Sequence, residues 1–359
     1  MLESGLAILK AIEDKGFRAY LVGGMPRDIL MNMDTSDVDI TTNATPKDLI
    51  KIFKDASFPD NDYGSVRLIR SGYVFEIVTF RKEGEYDNFR RPTKVEYISS
   101  LLQDLQRRDF TINTICMDLN GDIIDLLNGR KDLDNKIIKS VKDASLSFDE
   151  DPLRILRAIR FATVLSFDLD EDIIKAIHKY KERIKILSKE RVKFELDKMF
   201  ISPNYMRGVS LLKEFGLDKV LNIHNLDKIT EGLDLIAIWT ILDNMDYIKT
   251  SCERKLITDI KEALKEDLTS PLVLFKYGGY VSLVAGNLKG IPKKEMVQRY
   301  SDLPIKFKYE LGIDGREIAE VKHLHKHDIS KYKDLLIEAV LFGKVPNNKD
   351  ALIKYLEAL

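Results

Sequence analysis

From about Leu153 to Leu359 the apolar residues recur at helical spacing, with no alternating run that reads as a strand. Before residue 140 the pattern is different. Ser65–Arg70 and Val74–Phe80 alternate and are rich in β-branched residues, and Ala19–Val22 and Ser36–Thr41 are short strand-like runs. The chain must therefore join a mixed α/β first part to an all-helical remainder, an α+β arrangement whose break falls near 140–150.

Within the first part, residues 1–16 read as a helix. Pro26 suits the first turn of another, where a missing N–H is harmless, and Thr45-Pro46 opens a third through Phe53. Thr111–Leu119 and Asp122–Leu126 read as a strand pair around the turn signal Asn120-Gly121. Arg81–Pro92 is polar and short of apolar anchors, and reads as a mobile loop.

Composition narrows the partners. The 359 residues carry a net charge of −1, so a nucleic-acid partner requires a local basic patch. Residues 179–198 hold eight Lys and Arg, and Lys293, Lys294, Arg299, Lys306 and Lys308 form a second candidate patch. The first sixteen residues lack the form of a signal peptide, and no apolar run approaches the roughly 20 residues of a membrane span. Only Cys116 and Cys252 occur, which argues against a disulfide framework or zinc site and for a reducing cytoplasm. His323, His325 and His327 tempt a metal reading, but alternate spacing on a helix is poor for ligation.

The sharpest chemical signal is DVDI at 37–40. Alternate side chains of a strand share a face, so Asp37 and Asp39 lie about 6–7 Å apart and repel one another unless a cation sits between them. Hard divalent ions such as Mg²⁺ combine one or two carboxylates with substrate phosphates. Glu76, in the neighbouring strand VFEIVTF, is a candidate third acid, since an inward charge there needs a partner; a structural salt bridge is the alternative. Gly23-Gly24 between strand and helix lets backbone N–H groups approach phosphate, with Arg27 placed to fork onto its oxygens. In RRDFTIN, Arg108 offers another phosphate contact, and Asp109 or Asn113 a partner for a ribose hydroxyl.

The helix Asp151–Ala162 places Arg154, Arg157 and Arg160 on one stripe and Ile155, Leu156, Ile159 and Ala162 opposite. The stripe either makes a salt-bridge ladder to other helices or faces nucleotide. Asp151 beside Arg154 suggests base choice without a template: a carboxylate accepts from the exocyclic amine of cytosine or adenine, and a guanidinium donates to the ring nitrogen. Uracil and guanine reverse that order and leave both groups unpaired. Arg191 and Glu195, four apart, read as a helix-stabilising pair.

In this order the strings LVGGMPRD, DVDI, RRDFTIN, EDPLRILRAIRF and ERVKFE resemble the class II tRNA nucleotidyltransferase and poly(A) polymerase family of the polymerase-β-like superfamily, over about Tyr20–Phe200. The resemblance implies a nucleotidyltransferase head at 1–145, a base-reading neck at 146–205, and a body at 206–270 and tail at 271–359 that bind tRNA. It implies template-independent, Mg²⁺-dependent addition of C, C and A to tRNA 3′ ends from CTP and ATP. Asp37 and Asp39 would bind metal; Gly24, Arg27, Arg108, Asp151, Arg154, Arg157 and Arg160 would contact the nucleotide. An A-adding enzyme or poly(A) polymerase of the same family is the alternative, and an inactive tRNA-binding module a third. Pro26, Thr114 and Ser147 depart from the family's usual residues.

Overall fold

The computed structural model describes residues 1–35, 38–58, 64–83, 86–87, 91–92, 95–323 and 328–359. Two compact units divide the chain, Met1–Asn222 and Ile223–Leu359.

The first unit is built on a six-stranded mixed sheet. Its strands are β1 (Ala19–Val22), β2 (Val38–Thr42), β3 (Ser65–Arg70), β4 (Tyr73–Thr79), β9 (Cys116–Met117) and β10 (Ile123–Ile124), in the order β10-β9-β1-β2-β4-β3. Short ladders pair β5 (Arg81–Glu83) with β8 (Val95–Tyr97) and β6 (Tyr86–Asp87) with β7 (Arg91–Pro92). The segment expected as a loop at 81–92 therefore carries strand pairing, although several of its residues lie outside the described ones.

Strand alternation gives this sheet two chemically different faces. Val38, Ile40, Phe75 and Ile77 point to one side and pack with Ile8, Leu9 and Ile12 of α1 (Leu2–Glu13) and Leu49 of α3 (Pro46–Ile52). The alternate residues Asp39, Thr41 and Glu76 point to the other. There Leu101 and Leu105 of α4 (Leu101–Gln106) pack with Val22 and Phe80.

Sequence periodicity located the hairpin at Asn120-Gly121 but overestimated its arms. Thr111–Asn113 is a single 3-10 turn, and only Cys116–Met117 and Ile123–Ile124 pair. Asp118 explains the turn, since its carboxylate accepts the Asn120 and Asp122 backbone N–H groups at 2.8 and 2.9 Å.

The unit continues through α5 (Gly129–Asp134), α6 (Ala144–Glu150), α7 (Leu153–Val164), α8 (Glu171–Tyr180), α9 (Lys189–Phe200), α10 (Tyr205–Glu214) and α11 (Leu217–Leu221). One strand lies beyond the expected break. β12 (Asp168–Leu169) pairs in parallel with β11 (Ile137–Ile138), two residues too few to register as an alternating run. The helix expected from Asp151 begins at Leu153, because Asp151 is extended (φ −138°, ψ 95°) and its carboxylate accepts the Leu153 N–H at 3.1 Å.

Among its described residues the second unit has helices and no strand: α12 (Leu235–Leu242), α13 (Ser251–Ala263), α14 (Pro271–Leu288), α15 (Lys293–Ser301), α16 (Gly315–Lys322), α17 (Ile329–Leu341) and α18 (Lys349–Glu357). Among the described residues no helix is long and apolar enough to cross a membrane.

Candidate active site

Strand register assembles the acidic end of the site. β2 and β4 run parallel with Asp39 opposite Glu76; antiparallel pairing sets Val22 opposite Asp39 on one side and Arg67 opposite Glu76 on the other. A single row across four strands thus reads Val22, Asp39, Glu76, Arg67. Glu76 is exposed and Asp39 half-buried. The expectation that Glu76 points inward is corrected: it lies on the open face, where its charge is hydrated, and its relevance rests on adjacency to Asp39. Asp37 lies outside the described residues.

Gly23 follows Val22 and turns the chain into α2 (Gly24–Leu30). Its φ of +79° and ψ of −122° are strained for any residue with a side chain. A Cβ there would lie 3.4 Å from Asp39 Oδ2 and 3.8 Å from Arg108 Nη1. The glycine thus keeps the space between a carboxylate and a guanidinium free.

Arg108 is held from behind. Asp104, fully buried, accepts from Arg107 at Oδ1 (2.7 Å) and from Thr41 at Oδ2 (3.0 Å), and that second oxygen also stands 3.7 Å from Arg108 Nη2. The Arg108 Nε is buried without a hydrogen-bond acceptor among the described residues. A buried donor left so is costly, and an anion arriving beside it relieves that cost.

The opposite wall comes from α7 and α9. Arg157 binds Asp109 at 2.6 Å, and Arg160 Nε donates to Glu195 Oε2 at 2.6 Å, with Arg157 Nη1 3.6 Å from the other Glu195 oxygen. Asp109 also accepts from the Asn113 amide at 3.1 Å, and Asn113 accepts from Arg27 at 2.7 Å. Phe161 collects three guanidiniums around its ring: Arg160, Arg27 and Arg157, at 4.1, 5.3 and 5.4 Å from the centroid. Burial alone would raise the Asp109 pKa; Arg157, Asn113 and Arg154 overcome it and hold the carboxyl well below the usual range. Burial opposes the charge on Arg157 too, but Asp109 and Glu195 win and its pKa is raised. At Arg160 burial wins over Glu195 and the pKa is lowered.

These groups enclose a cleft of about 200 Å³ with five cations, Arg27, Arg108, Arg157, Arg160 and Lys198, against two carboxylates, Asp39 and Asp109. Such a wall suits a polyanion. Burial pushes the Cys116 thiol up to about 12, which makes it a packing residue and not a nucleophile.

The arginine stripe forms a salt-bridge ladder, and two of its members, Arg157 and Arg160, also line the cleft. Arg154 and Asp151 behave differently from expectation. Arg154 is buried and donates to Ser147 Oγ at 2.7 Å and to the Arg107 carbonyl at 2.9 Å, while Asp151 stands 3.5 Å from Arg191. Their side chains do not meet one another in the described contacts, and neither lines the cleft. Arg191 and Glu195 do not pair either, because Glu195 turns inward to Arg160 and Arg157. Glu195, Phe161 and Asp104 are the functional neighbours that sequence reasoning missed. The available signal for the first two was their place beside arginines, Phe161 directly after Arg160 and Glu195 four residues after Arg191.

The Poly A polymerase head domain family matches residues 19–139, and the family described as the probable RNA and SrmB-binding site of polymerase A matches 166–224. The curated CCA-adding enzyme of Lactobacillus helveticus is 32% identical, with 99% of this chain and 96% of that protein aligned. That of a Geobacillus species is 33% identical, with the same coverage. The chain belongs to the CCA-adding enzyme family. The crystal structure of the Bacillus stearothermophilus CCA-adding enzyme in complex with CTP is similar over 99% of this chain and 96% of that one, with a TM-score of 0.83 and 27% identity. The Thermotoga maritima CCA-adding enzyme complexed with tRNA shares the fold, with a TM-score of 0.67 at 20% identity and coverages of 99% and 95%. Members of this family are nucleotidyltransferases, and the mixed sheet followed by helices is their architecture.

Proposed function

We propose that this chain adds C, C and A to tRNA 3′ ends, taking CTP and ATP as substrates and working without a nucleic-acid template. The observation that carries the reading is the placement of Asp39 and Glu76 on one sheet row, with Gly23 holding open the space toward a cleft lined by five cations. Full-length identity to curated CCA-adding enzymes favours C and A addition over A addition alone.

The tRNA 3′-hydroxyl oxygen attacks the α-phosphorus, the bond to the bridging oxygen breaks, and pyrophosphate leaves. Arg27, Arg108, Arg157 and Arg160 hold the triphosphate and offset its charge. The Gly23–Gly24 backbone lets phosphate come close at the start of α2. Asp109 and Asn113, which link Arg27 to Arg157, accept from and orient the ribose. Asp151 and Arg154 read the base edge; a guanidinium has five donors, so the two that Arg154 spends on Ser147 and Arg107 leave others available. The carboxylate oxygens of Asp37, Asp39 and Glu76 are the hard donor set that Mg²⁺ prefers. When bound, Mg²⁺ activates the hydroxyl and neutralises phosphate charge.

The division into a head at 1–145, neck at 146–205, body at 206–270 and tail at 271–359 belongs to the same proposal, with body and tail gripping the tRNA and the enzyme working in the cytoplasm. Incubation with tRNA ending at the discriminator base and each nucleotide separately, followed by sequencing of the 3′ ends, tests it. CMP incorporation from CTP alone, completed by AMP only when ATP is added, is the expected result. AMP addition without any CMP addition would instead make it an A-adding enzyme, and UTP or GTP used as well as CTP would refute base reading by Asp151 and Arg154.

A further inference from the structure

In the second unit two large aromatic rings stand on the surface, on a segment that is pinned at both ends. Lys308–Glu310 is a single 3-10 turn. Glu310 accepts the backbone N–H groups of Lys306 and Phe307 at 2.6 and 3.2 Å. Asn347 donates to the Glu310 carbonyl at 2.8 Å and accepts from the Gly312 N–H at 2.7 Å. Lys308 ties the turn to α17 through Asp334 at 3.0 Å. On this frame Phe307 is 50% exposed and Tyr309 79% exposed. Their centroids are 5.2 Å apart and their planes differ by 6°.

The two near-parallel, exposed rings make a flat aromatic platform. A cleft of about 640 Å³ adjoins it, walled by Leu272, Phe275 and Ile337; of its three lysines, Lys276 pairs with Glu266 and Lys308 with Asp334. Lys306 makes no side-chain ion pair among the described residues. Flat aromatic surface beside the one ammonium of the cleft that has no carboxylate partner among the described residues, Lys306, matches a heteroaromatic ring joined to a phosphate. A base inside a duplex is stacked on both faces, so only an unpaired one can use such a platform.

We propose that Phe307, Tyr309 and Lys306 form a binding site for an unpaired nucleotide of the RNA substrate, the base stacking on the ring pair and the phosphate meeting the lysine. This rests on the tRNA-extending function proposed above and adds to it a specific contact in the second unit, which carries none of the catalytic groups. The test compares the full chain with Phe307→Ala/Tyr309→Ala, Lys306→Ala and Tyr309→Trp. The double variant should raise KM for tRNA on the order of tenfold, as loss of base stacking does. Its kcat and its KM for CTP should match the parent chain. Lys306→Ala should weaken tRNA binding more at low salt than at high salt. Tyr309→Trp should retain tRNA affinity, and its emission should fall on addition of tRNA, against the signal of the chain's one native tryptophan, the buried Trp239. An unchanged KM for tRNA in the double variant overturns the site. So does altered sedimentation with unaltered tRNA affinity, which would assign the rings to a second copy of this chain. Failure of the parent chain to extend tRNA at all would count against the function, whereas equal tRNA affinity in parent and variants counts only against this site.

Discussion

Arg160 and Glu195 meet at 2.6 Å between α7 and α9, and the carboxylate that Arg160 uses is 2% exposed. The same carboxylate reaches Arg157, so one buried acid sets the position of two cleft-lining cations. Removing one partner of a buried pair costs about 3–5 kcal/mol, because the other charge stays buried. Glu195→Gln preserves shape and removes the charge. We expect a lowered melting temperature and a KM for CTP raised by about tenfold or more, read by calorimetry and initial rates; an unchanged KM would show that Arg157 and Arg160 keep their positions without it.

Asp39 and Glu76 occupy paired register positions, yet they should not weigh equally. Asp39 faces the glycine turn and the cleft, whereas Glu76 stands one strand further out. Asp39→Ala should abolish nucleotide transfer while tRNA binding, measured by gel shift, stays intact. Glu76→Gln should lower kcat by about 10–100-fold, the usual cost of disturbing a supporting group at a metal site. Full activity in Glu76→Gln would reduce that residue to a partner of Arg67.

Gly23→Ala should damage activity more than stability. Left-handed backbone at a non-glycine residue costs about 1–3 kcal/mol, and the added methyl would stand 3.4 Å from Asp39 Oδ2. A few degrees lost in melting temperature with at least a tenfold fall in kcat/KM is the expected pattern. The reverse pattern, large unfolding with normal turnover in the folded fraction, would make Gly23 a turn residue only.

The Asp109 carboxyl contributes a stability term with a definite sign. Burial pushes its pKa up, but Arg157, Asn113 and Arg154 bring it below that of an unfolded aspartate, near 3.9. A depressed folded pKa means that stabilisation is complete above about pH 4 and disappears as pH falls through the acid range below it. Thermal melts of the parent chain and Asp109→Asn should differ at pH 7 and converge as the pH is lowered below about 4. A gap that stays constant down to pH 2 would show that the carboxylate charge is not what stabilises the pair.

Motif spacing was enough to indicate an α+β chain and to set Arg154, Arg157 and Arg160 along one helix, because strand and helix periods are local and place side chains on faces without reference to the rest of the chain. It also put the apolar residues Ile155, Leu156, Ile159 and Ala162 on the buried side of α7. Periodicity could not say which partners each charge would choose. Glu195 read as the mate of Arg191 four residues away, and Asp151 as the mate of Arg154, since local spacing is all that a sequence displays. Packing of α7 on α9 instead brought Glu195 to Arg160, and the Ser147 hydroxyl and Arg107 carbonyl claimed Arg154. The adjacency of Asp39 and Glu76 was likewise a matter of register between strands 37 residues apart in number, which only the closed sheet decides. A buried charge takes the partner that satisfies it at least cost in desolvation, and that partner is selected by the tertiary fold, not by distance along the chain.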